Sequence, residues 1–348
     1  MKIKRITYLF LLFIVVSILS SCAFITKSTT RKQIVTTLYP EYDMIMKIIG
    51  DNEETKNLFD VTLIIPPGQD SHTYDPSIRN LITIKSADLF IYTADEMETW
   101  VKDIEFSEKT KVINLSDDDR IELVKASEED AHLTQDYNGE EEPGHDHTHI
   151  HEYDPHYWIY PIYATYMVEQ IRDALIEILQ DPYPEKPITN VIYTNASEYI
   201  KALKEIDQEI KDTVQLAKET TKRNTMYFGS PFSFYYWHVF YGLEYRLTYA
   251  TCSTESEPSI EVLTSIIREM KENDVDVIFA KELINQEACE MIRFHTNAKI
   301  LVMHSGHNVS ATDFYDPQVS YLTILRNDVD NLKQMLKVNH ISIGGDKE

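Results

Sequence analysis

The chain has 348 residues, 43% of them apolar, enough to bury two cores of ordinary domain size. With 57 acidic against 33 basic side chains the formal charge is −24, which repels phosphate backbones, excludes nucleic acid as an expected partner and favours cations. Only three cysteines are present, Cys22, Cys252 and Cys289.

The first element in chain order is an export signal. Met1-Lys-Ile-Lys-Arg5 is a basic n-region and Ile6 to Ser21 an apolar run of signal-peptide length, too short to read as a membrane anchor. It ends in Leu19-Ser20-Ser21-Cys22, small residues before a cysteine, as in the lipobox where bacteria lipidate the thiol and cleave before it. Residues 1–21 are therefore expected to be removed, leaving a chain tethered through acyl groups on Cys22 and a short tether over residues 22–32. Loss of Lys2, Lys4 and Arg5 takes the formal charge to −27. Of the other cysteines, Cys252 and Cys289 could pair in an oxidising exterior, although two thiols cannot establish it.

From Gln33 short apolar runs alternate with amphipathic stretches. Ile34–Tyr39, Val61–Ile65, Leu89–Tyr92 and Lys111–Leu115 read as buried parallel strands, with helical spacing over Glu41–Gly50, Ser77–Ser86 and Glu96–Ile104. This is the βαβ pattern of a doubly wound sheet. Ser116 to Glu152 breaks the rhythm: acidic, histidine-rich and poor in apolar residues, it reads as a long loop. From Ile188 to Thr221 apolar residues recur at near-helical intervals without Pro or Gly. Such a helix spans about 45 Å, the length of a strut between two lobes. The βα rhythm then restarts. Strands are expected at Asn224–Phe228, Glu244–Thr248, Val275–Ala280 and Lys299–Met303, and helices at Phe232–Tyr241, Ser259–Glu272, Gln286–Thr296 and Val319–Lys337. The expected fold class is α/β, two doubly wound lobes (33–187 and 222–348) joined by a linking helix over 188–221.

Two histidine patterns carry chemistry. In Gly144-His-Asp-His-Thr-His-Ile-His151 imidazoles fall at every second residue, so His145, His147, His149 and His151 offer several ligand pairs to zinc-class cations. Ordering such a loop costs backbone entropy, so it is expected to bind more weakly than a preformed site. Separately, His72 follows the second strand, His156 ends the acidic loop and His304 follows the last strand. In doubly wound sheets ligands bind at the carboxyl ends of strands. Asp70, Asp75 and Asp154 are candidates to fix the ring tautomers.

These residues, with Gly68-Gln-Asp-Ser-His-Thr-Tyr-Asp-Pro76, Ala87–Tyr92, Trp100, Asp154-Pro-His-Tyr-Trp158, Tyr241-Gly-Leu243, Glu257-Pro-Ser259 and His304-Ser-Gly-His-Asn308, carry a resemblance. Across its mature length the chain resembles the bacterial zinc/manganese ABC-transporter substrate-binding lipoproteins, the cluster A-I solute-binding family, zinc type. The resemblance implies two α/β lobes joined by a rigid backbone helix, with one metal held between them and passed to a permease. Matched position by position, its first two histidine ligands fall on His72 and His156, its third on Pro231, and its fourth, usually a carboxylate, on His304. Pro231 is a departure. His238 lies about 10.5 Å further along a helix, so it is expected to pack among Phe234, Tyr235 and Trp237 instead.

Three imidazoles completed by water or by Glu282 make a nitrogen-rich tetrahedral set that favours Zn²⁺ over Mn²⁺. The expected function is capture of Zn²⁺ and its delivery to an ABC permease and ATPase, by a monomer anchored through Cys22 on the outer face of the cytoplasmic membrane or in the periplasm. A Mn²⁺-specific protein of the same type and a surface adhesin with a structural metal are the alternatives. A hydrolase is the third possibility, but no general-base motif such as His-Glu-x-x-His is present and no enzyme activity is expected.

Overall fold

Apolar runs bounded by turn residues build two parallel sheets in this computed structural model, which describes residues 31–125, 153–179, 187–249 and 258–339. In the first half, β1 (Lys32–Thr36), β2 (Phe59–Leu63), β3 (Leu89–Tyr92) and β4 (Lys111–Asn114) lie in the order β2-β1-β3-β4, with Ile34 opposite both Val61 and Leu89. In the second half, β5 (Thr225–Phe228), β6 (Glu244–Leu247), β7 (Val277–Lys281) and β8 (Lys299–Met303) repeat the plan as β6-β5-β7-β8. The sequence expected each of these strands, with ends displaced by at most three residues. The largest displacement has a local cause. Pro40 sits in the first turn of α1 (Tyr39–Ile49) and the Glu41 carboxylate accepts the Leu38 N–H at 2.8 Å, so the helix starts where the strand was expected to continue.

Helices α2 (Glu53–Lys56) and α3 (Ile78–Lys85) complete the first half, α3 opened by the Ser77 hydroxyl on the Asn80 N–H. The helix expected over Glu96–Ile104 reduces to a 3₁₀ turn at Val101–Asp103. Its Glu98 is buried with its carboxylate turned back onto the backbone N–H groups of Thr93 and Ala94, which favours a tight turn over helix propagation.

Next comes α4 (Pro161–Ile178), which the sequence reading did not assign. Tyr163, Met167, Val168, Ile171, Leu175 and Ile178 are buried at helical intervals, and the face they form lies along the long helix α5 (Pro187–Glu219). At 33 residues, α5 is about 50 Å long. It packs on α1 and, through its later turns, on the C-terminal elements. The hydroxyl of Tyr199 donates to Asp43 of α1 at 2.8 Å, while Asp207 accepts from Tyr241 at 3.0 Å. One continuous rod therefore touches both halves.

The C-terminal helices are α6 (Tyr235–Tyr241), closed by Gly242 at φ +67, α7 (Ile260–Glu272), α8 (Glu287–Thr296), α9 (Ala311–Phe314) and α10 (Tyr321–Met335). Ser259 and Ser320 cap α7 and α10. The halves meet over a buried seam. Trp158 donates through Nε1 to the Ser305 carbonyl at 2.8 Å, Trp237 to that of Ile159 at 3.0 Å and Tyr236 to that of Asp154 at 2.8 Å. Trp158 and Trp237 are both 0% exposed, so these donors satisfy indoles that would otherwise be stranded in the core.

Cys289 is a buried free thiol, pushed up to about 12 by burial, with its Sγ facing the Phe279 carbonyl. Its suggested partner, Cys252, lies outside the described residues. So do Cys22 and the histidines 145, 147, 149 and 151. Among the described residues no helix is long and apolar enough to cross a membrane.

Candidate metal centre

Three loops at the carboxyl edges of the two sheets converge on one point. The loop after β2 carries His72, the approach to α4 carries His156, and the segment after β8 carries His307. Each imidazole offers a nitrogen, and the three nitrogens lie within 4.8 Å of one another. Ring centroids are 5.5 Å apart for His72 and His156, 4.9 Å for His72 and His307, and 4.6 Å for His156 and His307. His156 and His307 are 1% and 4% exposed.

The ring orientations follow from hydrogen bonds behind the cluster. Asp154 Oδ1 accepts both the backbone N–H of His156 at 2.8 Å and its ring Nδ1–H at 2.7 Å. That fixes the tautomer and leaves the buried Nε2, which has no other hydrogen-bond partner, as a bare lone pair. The Nε2 of His307 is likewise buried without a partner. Burial first, and then the Lys281 charge, hold the His307 imidazole well below its ordinary value, so the ring is neutral. Asp70 Oδ1 accepts the His72 backbone N–H at 3.0 Å and shapes that loop. Two buried lone pairs thus lie within 4.8 Å of each other and of a His72 nitrogen, an arrangement suited to a borderline-soft cation.

The structure brings His72 and His156 together as expected and leaves His304 out. The His304 Nδ1 accepts the Gly306 N–H at 3.0 Å, so its other nitrogen carries the proton and is a donor. The ring lines a separate hollow with Asp328 and Asn331. Gly306, at φ +77, turns the chain between the two histidines and presents His307 to the cluster instead. Glu282, the expected fourth ligand, also stands outside. It is 7% exposed and spends its carboxylate on Ser305, accepting the backbone N–H at 2.9 Å and the hydroxyl. Although burial opposes its ionisation, His304, Lys281 and these hydrogen bonds hold it below the usual carboxylate range. Pro231 is buried and brings no ligand atom. His238 donates through Nδ1–H to the Leu243 carbonyl at 2.7 Å and stacks on Tyr235, so it is packed as expected.

A family description, zinc-uptake complex component A, periplasmic (ZnuA), matches residues 34–335. The chain belongs to the ZnuA family. Among its most similar relatives, the zinc-binding lipoprotein AdcA of Streptococcus pneumoniae is 30% identical over 326 residues, covering 90% of this chain and 59% of that protein. The chain thus spans about three fifths of the length of the AdcA proteins it matches. The high-affinity zinc uptake system protein ZnuA of Bacillus subtilis is 28% identical over 315 residues, 88% of each. Among solved structures, the Zn(II)-bound ZnuA-like domain of S. pneumoniae AdcA is 26% identical with a TM-score of 0.66, covering 88% of this chain and 99% of that one. ZnuA-family proteins are metal-binding components that function with an ABC permease and an ATPase.

Proposed function

We propose that this ZnuA-family chain captures Zn²⁺ outside the cell through the Nε2 atoms of His156 and His307 and a nitrogen of His72, and delivers it to an ABC permease. The observation that carries the reading is the convergence of three imidazoles, two with buried lone pairs, at the seam between the sheets. Tetrahedral zinc needs ligand nitrogens about 3.4 Å apart, so closing from the present limit of 4.8 Å asks for side-chain adjustments of about an ångström. Zinc is favoured because a set of neutral nitrogens suits it, whereas Mn²⁺ prefers more oxygen. The names of the relatives, zinc-binding AdcA and zinc-uptake ZnuA, support the same cargo. With Pro231 at the family's third position, water completes the tetrahedron.

Lipid attachment at Cys22 and capture of passing cations by the histidines at 145, 147, 149 and 151 belong to the same reading and rest on the sequence. The deciding experiment is a zinc titration against a chromophoric chelator, followed by growth in chelated medium. A transport component is needed there and replaceable by added zinc; an adhesin with a structural metal is not.

A further inference from the structure

We infer that Ser305 and Glu282 form a positioning relay behind His307 that holds its ring in the Nδ1–H tautomer and so keeps Nε2 free to bind a cation. The geometry is a chain of three side chains, all less than 8% exposed: Glu282, the Ser305 hydroxyl and the His307 Nδ1. Its polarity follows from the donors available. Glu282 already accepts the Ser305 backbone N–H at 2.9 Å, and as a carboxylate it has only acceptors, so the Ser305 hydroxyl proton points to it. The Ser305 oxygen is then left with lone pairs, and the only proton that can meet it from His307 is the one on Nδ1. His307 Nδ1 is 3.9 Å from the Glu282 oxygen, so the serine bridges a gap too wide for a direct hydrogen bond.

The cluster thus has two different supports. His156 leans directly on a carboxylate, Asp154, while His307 reaches one through a hydroxyl. The relay also explains why Glu282 is buried beside the centre without pointing at it: it acts on the cation through a ring. A neutral imidazole free of constraint prefers the Nε2–H form, which would place a proton where the lone pair is needed. Supports of this kind change metal affinity by about 10–100-fold when removed.

The test has one arm that involves no metal. Long-range ¹H–¹⁵N correlation spectra of the metal-free protein read the tautomer of His307 directly. The wild type is expected to show Nδ1–H, and Ser305→Ala to shift the ring toward Nε2–H. Glu282→Gln, which keeps the shape of the side chain, should move it the same way. The second arm rests on the function proposed above: zinc affinity should fall about tenfold in Ser305→Ala. A wild-type His307 already in the Nε2–H form overturns the relay whatever zinc does. Nδ1–H in the wild type with no tight zinc binding supports the relay and sinks the cargo instead.

Discussion

The side-chain amide of Asn308 donates to the Pro66 carbonyl at 2.7 Å, across the seam between the two halves, and to that of Gln69 at 2.9 Å. Beside it the Gly68 N–H donates to Val309 at 2.7 Å. The segment bearing His307 is stapled in this way to the loop bearing His72. Asn308 is 2% exposed, so Asn308→Ala removes a buried amide that ties two carbonyls of the His72 loop and costs about 1–2 kcal/mol. Thermal melts should drop by several degrees, and stopped-flow chelation should show faster zinc release. An unchanged release rate would mean the staple does not govern the centre.

Replacing His72, His156 or His307 by Ala should weaken zinc binding at least tenfold in chelator competition. His304→Ala should change it far less, because that ring is turned to Gly306. Equal losses at 304 and 307 would show that the segment rearranges around the ion.

The stem of the histidine-rich loop is closed by a Lys125–Tyr153 bridge and by the Asp154 N–H on the Val124 carbonyl at 2.8 Å. Deleting residues 132–151 therefore leaves this stem and the Asp154 bonds to His156 in place. Titration calorimetry on the shortened protein should retain one tight zinc site and lose only weak sites. Loss of all tight binding would refute this division of roles.

Beneath the centre, Glu41 and Glu98 are wholly buried against the hydroxyls of Thr36, Thr37 and Thr93 and the N–H groups of Leu38, Thr93 and Ala94. Burial raises both above the ordinary 4.5, and the charge of Glu98 raises Glu41 further. Between 4.5 and the raised values the folded protein holds protons that the unfolded chain has released. Their stabilisation is therefore complete below about 4.5 and fades as pH climbs toward and past neutrality. Melts of the metal-free protein from pH 6 to 8.5 should fall less steeply in Glu98→Gln than in the wild type. Parallel curves would dismiss the pair as a source of the pH dependence.

Most of the architecture is legible in the residues. The run Leu89–Tyr92 coincides with β3 because a buried parallel strand needs continuous apolar sequence, and Lys299–Met303 coincides with the edge strand β8, which is only partly buried. The long helix is announced by its period. Helix α4 is equally periodic and opens on Pro161, a residue suited to a first helical turn, yet it follows closely on the acidic stretch and was not assigned. At the centre, spacing identified His72 and His156, whose loops leave strands and turns in plain order. Choosing between His304 and His307 depends on a single backbone angle at Gly306 and on which ring nitrogen meets an N–H, and neither is written in the spacing. Glu282 was expected as a fourth ligand from its place after β7; that a serine stands between it and the ring is a fact of packing alone.

The rod-like α5 gives the molecule a spine that both sheets share. Swinging the halves apart as rigid bodies would break either the Asp43–Tyr199 or the Asp207–Tyr241 bond, strip the N–H of Tyr321 from Asp43 and expose two tryptophans at once. Lifting the short span from His304 to Ser310 breaks the staple at Asn308, the Gly68 and Tyr39 N–H contacts, the Trp158 bond and the bonds of Ser305 to Glu282 and of the His304 N–H to Asp328, but touches none of the bonds that fasten α5. A motion confined to that span leaves the spine intact, whereas a jaw-like opening has to tear it from one of the sheets.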